Sequence, residues 1–223
     1  MGRTTTCRRK ERVKLYTYWR STSSYRLRIA LALKGIEAQH VFVHLVRDGG
    51  EQNTDAYRRI NPQSRVPALE LDDGTVLIQS PAIIEYLEER KPSPALLPRD
   101  PVARAKVRSV AAIIGCDIHP LHNVGALNYL RGAFDRTEGD IAGWVGHWVT
   151  AGFAAVEAMI ADEGYCFGTE PGLADVYLAP QVYAARRFGV LLHAFPRIHR
   201  VAELCAAHPA FEQASPSNQK DAE

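Results

Sequence analysis

Four consecutive hydroxyl-bearing residues stand between a predicted strand and a predicted helix. Ser21, Thr22, Ser23 and Ser24 follow Arg20 at the point where helical character begins. One interpretation is a helix cap with spare hydroxyls, because serine and threonine at a helix start accept hydrogen bonds from the first free amides. The other is a site for an anion or a thiolate, because hydroxyls and free N–H groups converge at the positive end of a helix. The residue types alone leave both interpretations open.

A proline leads into a later predicted strand. Pro67 follows Arg65 and Val66 and precedes the apolar pair Ala68-Leu69. It is either an edge-strand proline or a cis-proline. In the second case, the backbone N–H and C=O of Val66 are exposed to a peptide-like ligand.

Two more junctions between a loop and a helix carry polar residues. Gln79 and Ser80 introduce a predicted helix with a proline at its first position. Ser80 is either a plain N-cap or part of a carboxylate site, to which Gln79 adds a side-chain contact. The other junction runs from Gly168 to Asp175 in the second half of the chain, and simple capping by Asp175 accounts for it.

The sequence predicts no metal site. His119 and His122 are three residues apart, but no further ligand lies within reach by sequence. The four cysteines (Cys7, Cys116, Cys166 and Cys205) are widely spaced and form no CxxC pair. Reduced thiols in an intracellular, cytoplasmic protein fit this pattern best.

The elements that must position these residues fall into two halves. In the first half, the spacing of apolar residues changes repeatedly between that of a strand and that of a helix. This pattern predicts the order βαβαββα, a compact α/β unit. After about residue 100, long helices follow, and Pro120 should kink or break the first of them. We expect a basic disordered tail over residues 1–12, an α/β domain over 13–91, a linker over 92–99, a helical domain over 100–212 and a disordered polar tail over 213–223.

Composition excludes several classes of protein. The chain has 223 residues, of which 46% are hydrophobic and 23% charged, a globular composition. Residues 1–12 carry five of its 27 basic residues and one of its 25 acidic residues, so the rest is slightly acidic and offers no basic face for nucleic acid. No apolar run approaches the eighteen or so residues that span a bilayer, and residues 1–12 contain no secretory signal. We therefore expect no nucleic-acid and no membrane partner.

Taken together and in this order, these features resemble the glutathione transferase superfamily over residues 13–211. Residues 16–31 (YTYWRSTSSYRLRIAL) look like the signature of its zeta class, whose usual core reads SSCxWRVRIAL. Further similar segments are NPQ at 61–63, QSPAIIEYLEE at 79–89, CDIHPLHN at 116–123, PQV at 180–182 and RF at 187–188. The resemblance implies a thioredoxin-like N-terminal domain, an all-helical C-terminal domain, bound glutathione and a homodimer.

The resemblance also implies roles for particular residues. Ser21 is the expected partner of the glutathione thiolate, with Thr22 and Ser23 as donors from the first helical turn. Arg20 and Arg187 are expected to bind the substrate, and Arg186 competes with Arg187 for this role. The remaining residues expected to bind glutathione are Gln52, Arg65, Val66, a cis-Pro67, Gln79, Ser80, His119 and Asn123.

Three positions depart from the family pattern. The signature cysteine is Ser23 here, so a protein cysteine is not the nucleophile at that position. Gly172 replaces the usual serine or threonine before Leu173 and is a poorer cap. Val124-Gly125 stand where maleylpyruvate isomerases carry an arginine, which leaves the substrate open.

Three functions follow as hypotheses. The first is a glutathione-dependent cis–trans isomerase that converts maleylacetoacetate or maleylpyruvate to the fumaryl isomer, in aromatic catabolism. It would act by addition of a thiolate to the double bond, rotation and elimination. The second is a general transferase that conjugates electrophiles or dehalogenates α-haloacids. The third is a binding or regulatory module without activity, which loss of the Ser21 cluster would have favoured.

Overall fold

The computed structural model describes residues 13–223. Residues 1–12, for which the sequence predicts a disordered basic tail, lie outside the described part of the chain. In the remainder, an α/β unit is followed by a helical unit. The predicted fold class, a thioredoxin-like domain followed by helices, is confirmed.

The first unit has the predicted order βαβαββα. Its sheet is ordered β2-β1-β3-β4, with β1 parallel to β2 and antiparallel to β3, and β4 antiparallel to β3. In β1, the alternate residues Val13, Leu15 and Thr17 are buried. Leu15 lies opposite His40 on β2 and Leu69 on β3. The elements are β1 (Val13–Thr17), α1 (Thr22–Leu33), β2 (Ala38–Phe42), α2 (Asp55–Arg58), β3 (Ala68–Glu70), β4 (Val76–Ile78) and α3 (Ser80–Arg90).

The second unit is helical throughout. Its α-helices are α4 (Pro101–Ala112), α5 (Val124–Phe134), α6 (Glu138–Met159), α7 (Leu173–Arg187), α8 (Pro196–Ala207) and α9 (Pro209–Ala214). The expected interruption at Pro120 is present, because a π-helical turn (Ile113–Ile118) and a 3-10 turn (His119–His122) separate α4 from α5. The short helices α5 and α9 were not predicted from the sequence.

One stretch corrects the expectation that no segment is long and apolar enough to cross a membrane. Pro101–Phe134 meets that criterion by length and composition alone. It is not one continuous α-helix, and Val107, Val110, Ile114 and Ile118 within it are buried in the protein core. We therefore interpret it as core helices, which meet the same criterion.

A buried ion pair ties the linker to the first unit. The ammonium group of Lys34, at the end of α1, contacts the Glu88 carboxylate on α3 and donates 2.8 Å to the carbonyl of Lys91. Glu88 in turn accepts hydrogen bonds from the amides of Leu96 and Leu97. This network fixes the path of the chain between the two units.

The expectation that residues 213–223 are disordered is wrong. The segment continues from α9 through a 3-10 turn (Pro216–Asn218) and packs against the first unit. Asp221 accepts a hydrogen bond from the backbone amide of Trp19, and Glu223 pairs with His44 and Arg47. Polar composition suggested disorder, but partners distant in sequence supply the ordering contacts.

The two units share one hydrophobic core, chiefly where α1 packs on α7. At this contact the guanidinium group of Arg26 lies 4.6 Å from the ring centroid of Tyr177, a cation–π geometry. The Tyr25 hydroxyl donates to the carbonyl of Phe211 at 3.3 Å. These contacts place the start of α1 against the helical unit.

Candidate active site

A cleft between the two units gathers all of the site residues that the sequence predicts. It consists of a cavity of about 550 Å³ and an adjoining one of about 80 Å³. The larger is lined by Arg20, Ser21, Thr22, Gln52 and Arg187, the smaller by Pro67, Gln79 and Ser80, and both by Ser23, Arg65, Val66, His119 and Asn123.

Ser21 lies at the start of α1 as its N-cap. Its Oγ accepts a hydrogen bond of 3.2 Å from the Ser24 amide, as the capping interpretation requires. A hydroxyl also has a proton to donate, so capping does not exclude the anion interpretation. The first turn of α1 contains no acidic residue, so no carboxylate of the helix occupies its positive end.

The peptide bond between Val66 and Pro67 is cis, as predicted. The Arg65 carbonyl just before it accepts two hydrogen bonds, 2.8 Å from the Tyr57 hydroxyl and 2.7 Å from the Asn61 side-chain amide. The ladder of β3 begins only at Ala68, so the polar backbone groups of Val66 lie outside the sheet. Val66 itself lines both cavities of the cleft.

The start of α3 is open to a ligand. Gln79, its N-cap residue, makes no capping hydrogen bond with its side chain, and the first turn holds no acidic residue. Gln79 has a φ of 70°, a region that residues other than glycine rarely adopt and that clusters at functional sites. Its side chain instead donates to Gln63 Oε1 at 2.5 Å. The free amides of this turn suit a carboxylate.

Arg26, which we did not select from the sequence, lies beside this helix start. It is 1% exposed and lines the smaller cavity, and its Nε and Nη2 have no hydrogen-bond partner among the described residues. Burial lowers the pKa of Arg26 to about 10, so the group stays charged at neutral pH. Nothing in the sequence indicated its burial, because its partner ring, that of Tyr177, lies on a distant helix. A carboxylate in the small cavity would supply the missing partner.

Gln52 offers a second buried polar atom without a partner. Its Nε2 donates to the Leu45 carbonyl at 3.2 Å, whereas its Oε1 is buried and makes no hydrogen bond within residues 13–223. The side chain is 8% exposed and borders the larger cavity. An amide or ammonium donor of a ligand would satisfy this oxygen.

The segment between α4 and α5 contributes two histidines and an asparagine. Burial, reinforced by the charge of Arg26, holds the pKa of His119 well below its ordinary value. Burial also lowers the pKa of His122 to about 4, although its hydrogen bond to Gln181 acts in the opposite direction. Both rings are therefore neutral at pH 7. Asn123 caps α5 by accepting a hydrogen bond of 2.9 Å from the Gly125 amide.

Two arginines from different units line the larger cavity of the cleft. Arg20 lies on the loop after β1, and Arg187 forms the last residue of α7. Partial burial lowers the pKa of Arg187, and the nearby positive charge of Arg20 lowers it further. Arg186 instead forms an ion pair of 3.1 Å with Glu203 on α8 and lines a different cleft. The structure thus favours Arg187 over Arg186 as the substrate residue.

The charge of the site is one-sided. None of the described residues that line the two cavities is acidic, whereas Arg20, Arg26, Arg65, Arg131 and Arg187 all line them. Arg131 on α5 was not predicted, and it is already paired with Glu138 at 2.5 and 2.9 Å. Such a cleft suits a ligand or substrate with several negative charges.

No metal centre accompanies the cleft within residues 13–223. In that part of the chain, no group of three or more histidine, cysteine or acidic side chains is placed to hold an ion. His119 and His122 instead pack edge to face, with ring centroids 5.2 Å apart. Asp175 acts as a cap, accepting hydrogen bonds from the amides of Cys166 and Gly172.

Comparisons with known proteins point in one direction. Residues 20–90 match the N-terminal domain of glutathione S-transferase, and residues 130–204 match its C-terminal domain. The maleylacetoacetate isomerase of Pseudomonas aeruginosa is 65% identical over 209 residues, which cover 94% of this chain and 98% of that protein.

Two solved structures are similar over nearly their whole length. One is the holo structure of a maleylpyruvate isomerase, described as a bacterial glutathione S-transferase of the zeta class. It has a TM-score of 0.91 and 50% identity, and the match covers 94% of this chain and all of that one. The other is maleylacetoacetate isomerase from Anaeromyxobacter dehalogenans with bound glutathione in its active site. It has a TM-score of 0.85 and 41% identity, covering 96% and 99% of the two chains.

Proposed function

Because this chain belongs to the glutathione S-transferase family, we propose that it is a glutathione-dependent cis–trans isomerase. Its substrate is a maleyl diketo acid, maleylacetoacetate or maleylpyruvate, and its product is the fumaryl isomer. The observation that carries the proposal is the lining of the cleft, which among the described residues includes five arginines and no acidic residue, together with Ser21, Thr22 and Ser23. The 65% identity to a maleylacetoacetate isomerase supports that compound as the first substrate to test.

The residues of the cleft fit glutathione, which carries two carboxylates and two peptide bonds. The open start of α3 and the unpartnered nitrogens of Arg26 fit a carboxylate. The backbone of Val66 fits the peptide part, and the free oxygen of Gln52 fits a nitrogen donor. When bound, glutathione supplies a thiolate whose reversible addition to the double bond permits rotation, and it is returned unchanged.

Ser21 and the start of α1 keep that thiol ionised. A free thiol has a pKa near 8.5, and lowering it by two units takes about 2.7 kcal/mol. A helix end supplies about 0.3–1 kcal/mol, and a hydrogen bond to a charged group about 1.5–3 kcal/mol. The helix end alone falls short of this amount, and the hydrogen bond reaches it only at the upper end of its range. The Ser21 hydroxyl can cap Ser24 with its oxygen while donating its proton, so both contributions act at one point.

Arg20 and Arg187 bind the carboxylates of the substrate and stabilise the negative charge that develops on its diketo group. Their planar, permanently charged guanidinium groups suit both tasks. In the absence of substrate, the two positive charges repel each other, and a dianion between them relieves that repulsion. Thr22 and Ser23 add donors from the first turn of α1.

The test is a spectrophotometric assay with maleylacetoacetate and maleylpyruvate in turn, with and without glutathione. Loss of the cis isomer and the concentration of free thiol are followed together. Isomerisation that requires glutathione but leaves it unconsumed is expected, and the ratio of the two rates identifies the preferred acid. Consumption of thiol would indicate a conjugating transferase instead. Glutathione binding with no turnover of either acid, of electrophiles or of haloacids would indicate a binding module.

We also propose that the chain assembles as a homodimer, as its family resemblance implies. Large apolar side chains on the helical unit support this, since Val102 is 64%, Tyr129 65% and Phe134 53% exposed. Light scattering coupled to gel filtration should give the mass of two chains. A mass of one chain at micromolar concentration would contradict the assembly.

The cytoplasm is the proposed location. Cys166 and Cys205 are buried and unpaired, as expected of thiols in a reducing compartment. Cell fractionation should recover the protein with cytosolic markers, and its recovery with the membrane fraction would contradict this.

A further inference from the structure

The segment that was expected to be disordered reaches the loop that carries the candidate catalytic residues. We call residues 219–223 the clasp. Asp221 of the clasp accepts a hydrogen bond of 2.9 Å from the backbone amide of Trp19, 202 residues away in sequence. Trp19 lies between Tyr18 and Arg20, which both line the larger cavity, so the clasp contacts the chain within the segment that borders the cleft.

The other side of Trp19 is held as well. Its carbonyl accepts a hydrogen bond of 2.9 Å from Arg28, whose guanidinium group also contacts the side chain of Thr17 and the carbonyl of Tyr18. Arg28 in turn donates to the carbonyl of Ala214, at 2.9 Å. Both polar backbone groups of Trp19 are therefore tied to the end of the helical unit, one through Arg28 and one directly through Asp221.

The clasp touches a second loop of the cleft. The carboxylate of Glu223 lies 3.0 Å from both His44 Nε2 and Arg47 Nη2, on the loop after β2. His44 Nδ1 accepts hydrogen bonds from the amides of Val46 and Arg47, so Nε2 carries the proton that it shares with Glu223. This loop continues to Gln52 in the cleft. The two ion pairs of Glu223 are accessible to solvent and stabilise the position of the clasp only weakly. Asp221 is therefore the main contact.

We propose that Asp221 is a positioning residue, which holds the loop before Ser21 in the geometry that binds glutathione. The inference rests on the proposed function only in taking glutathione as the ligand. A carboxylate that binds a backbone amide forms a charge-assisted hydrogen bond, one of the stronger contacts that a surface segment can make. No residue of the clasp lines the cleft itself, so Asp221 must act through its hydrogen bond to Trp19 and through its attraction for the charge of Arg28, which holds the same segment.

The experiment compares the full-length chain with three variants. Asp221→Ala removes the acceptor, Asp221→Asn keeps an oxygen acceptor, and Lys220→Ala is a matched control in the same segment. Calorimetry measures the Kd for glutathione, and amide hydrogen exchange is measured at Trp19. We expect Asp221→Ala to raise the Kd for glutathione about tenfold, which corresponds to the loss of one charge-assisted hydrogen bond. We also expect it to accelerate hydrogen exchange at the Trp19 amide. Asp221→Asn should stay within about threefold of the parent, and Lys220→Ala should match it.

Two results would overturn the proposal. If Asp221→Ala binds glutathione like the parent while its Tm falls, the contact is structural only. If exchange at Trp19 is unchanged, the hydrogen bond does not hold the loop, and this measurement needs no ligand. Neither readout depends on turnover, so absent isomerase activity with intact glutathione binding would count against the proposed reaction and not against the clasp.

Discussion

Arg20 and Arg187 line the same cleft from different units of the protein. Burial is the main cause that lowers the pKa of Arg187, and the positive charge of Arg20 lowers it further. Two like charges that line one cavity are unfavourable when no anion lies between them. They become favourable once an anion lies between them, so the pair is adapted to a substrate with two carboxylates.

Replacing Arg187 by alanine should therefore weaken the binding of the substrate more than the binding of glutathione. We expect kcat/KM for the diketo acid to fall by about 10²-fold, corresponding to roughly 3 kcal/mol, with little change in the Kd for glutathione. Arg186→Ala is the matched control, because Arg186 pairs with Glu203 outside the cleft. Equal losses of kcat/KM in the two variants would contradict the role of Arg187 in binding the substrate.

Removing the hydroxyl of Ser21 should have two separable effects. Ser21→Ala loses the hydrogen bond to the thiolate, and we expect kcat to fall by about 10- to 100-fold, as for a contact of about 1.5–3 kcal/mol. It also loses the cap of α1, which costs about 1 kcal/mol of unfolding free energy. Thr137→Ala removes the cap of α6 far from the cleft and serves as the control for stability. Parent-like kcat in Ser21→Ala would remove this residue from the mechanism.

Acidification should destabilise the protein through His122. The folded pKa is lowered to about 4 by burial, so between pH 6.5 and 4 the unfolded chain binds more protons than the folded one. Stability is therefore complete above about pH 6.5 and is lost as the pH falls. From this residue we expect a loss of roughly 2 kcal/mol between pH 7.5 and pH 5.

Urea unfolding at those two pH values measures this loss. His122→Gln lacks the titrating ring, so the difference in unfolding free energy between the two pH values should shrink by about the same amount. An unchanged difference would show that His122 does not contribute to it. The comparison within each variant removes the cost of the lost hydrogen bond to Gln181.

The buried ion pair of Lys34 and Glu88 should contribute far more to the free energy of unfolding than an ion pair that solvent reaches. Glu88→Gln leaves the ammonium group of Lys34 buried without a charge partner, and we expect it to lower the unfolding free energy by about 3–5 kcal/mol. The partly exposed pair of Lys14 and Glu70 is the comparison, and Lys14→Met should cost less than about 1 kcal/mol. Similar costs in both variants, measured by urea unfolding, would contradict the assigned role of burial.

Much of the fold was predictable because its local signals are strong. Ser80 and Pro81 mark the start of α3, although the N-cap position belongs to Gln79 and not to Ser80. The hydroxyl run at Ser21 was placed correctly at the start of α1, although sequence alone did not choose between cap and ligand site. In the structure, the hydroxyl of Ser21 serves as the cap, and Ser21 also lines the cleft.

The rest depended on contacts between distant residues. The segment with Asp221 is polar, and it is ordered by contacts with residues at the other end of the sequence, Trp19 through Asp221 and His44 through Glu223. Arg26 looked like one more surface charge on a helix until its burial against Tyr177 became visible. The choice between Arg186 and Arg187 required the position of Glu203 on the next helix.

The division of the cleft between two units also bears on how such enzymes diversify. The groups proposed to hold the shared cofactor lie mainly before residue 91, and Arg187 lies near the end of the helical unit. Exchange of the gene segment for the helical unit between relatives could therefore alter the choice of acid while the cofactor stays the same. Such a chimera should retain Tyr177 beneath Arg26 and Asp221 beside Trp19, since these two contacts cross the junction.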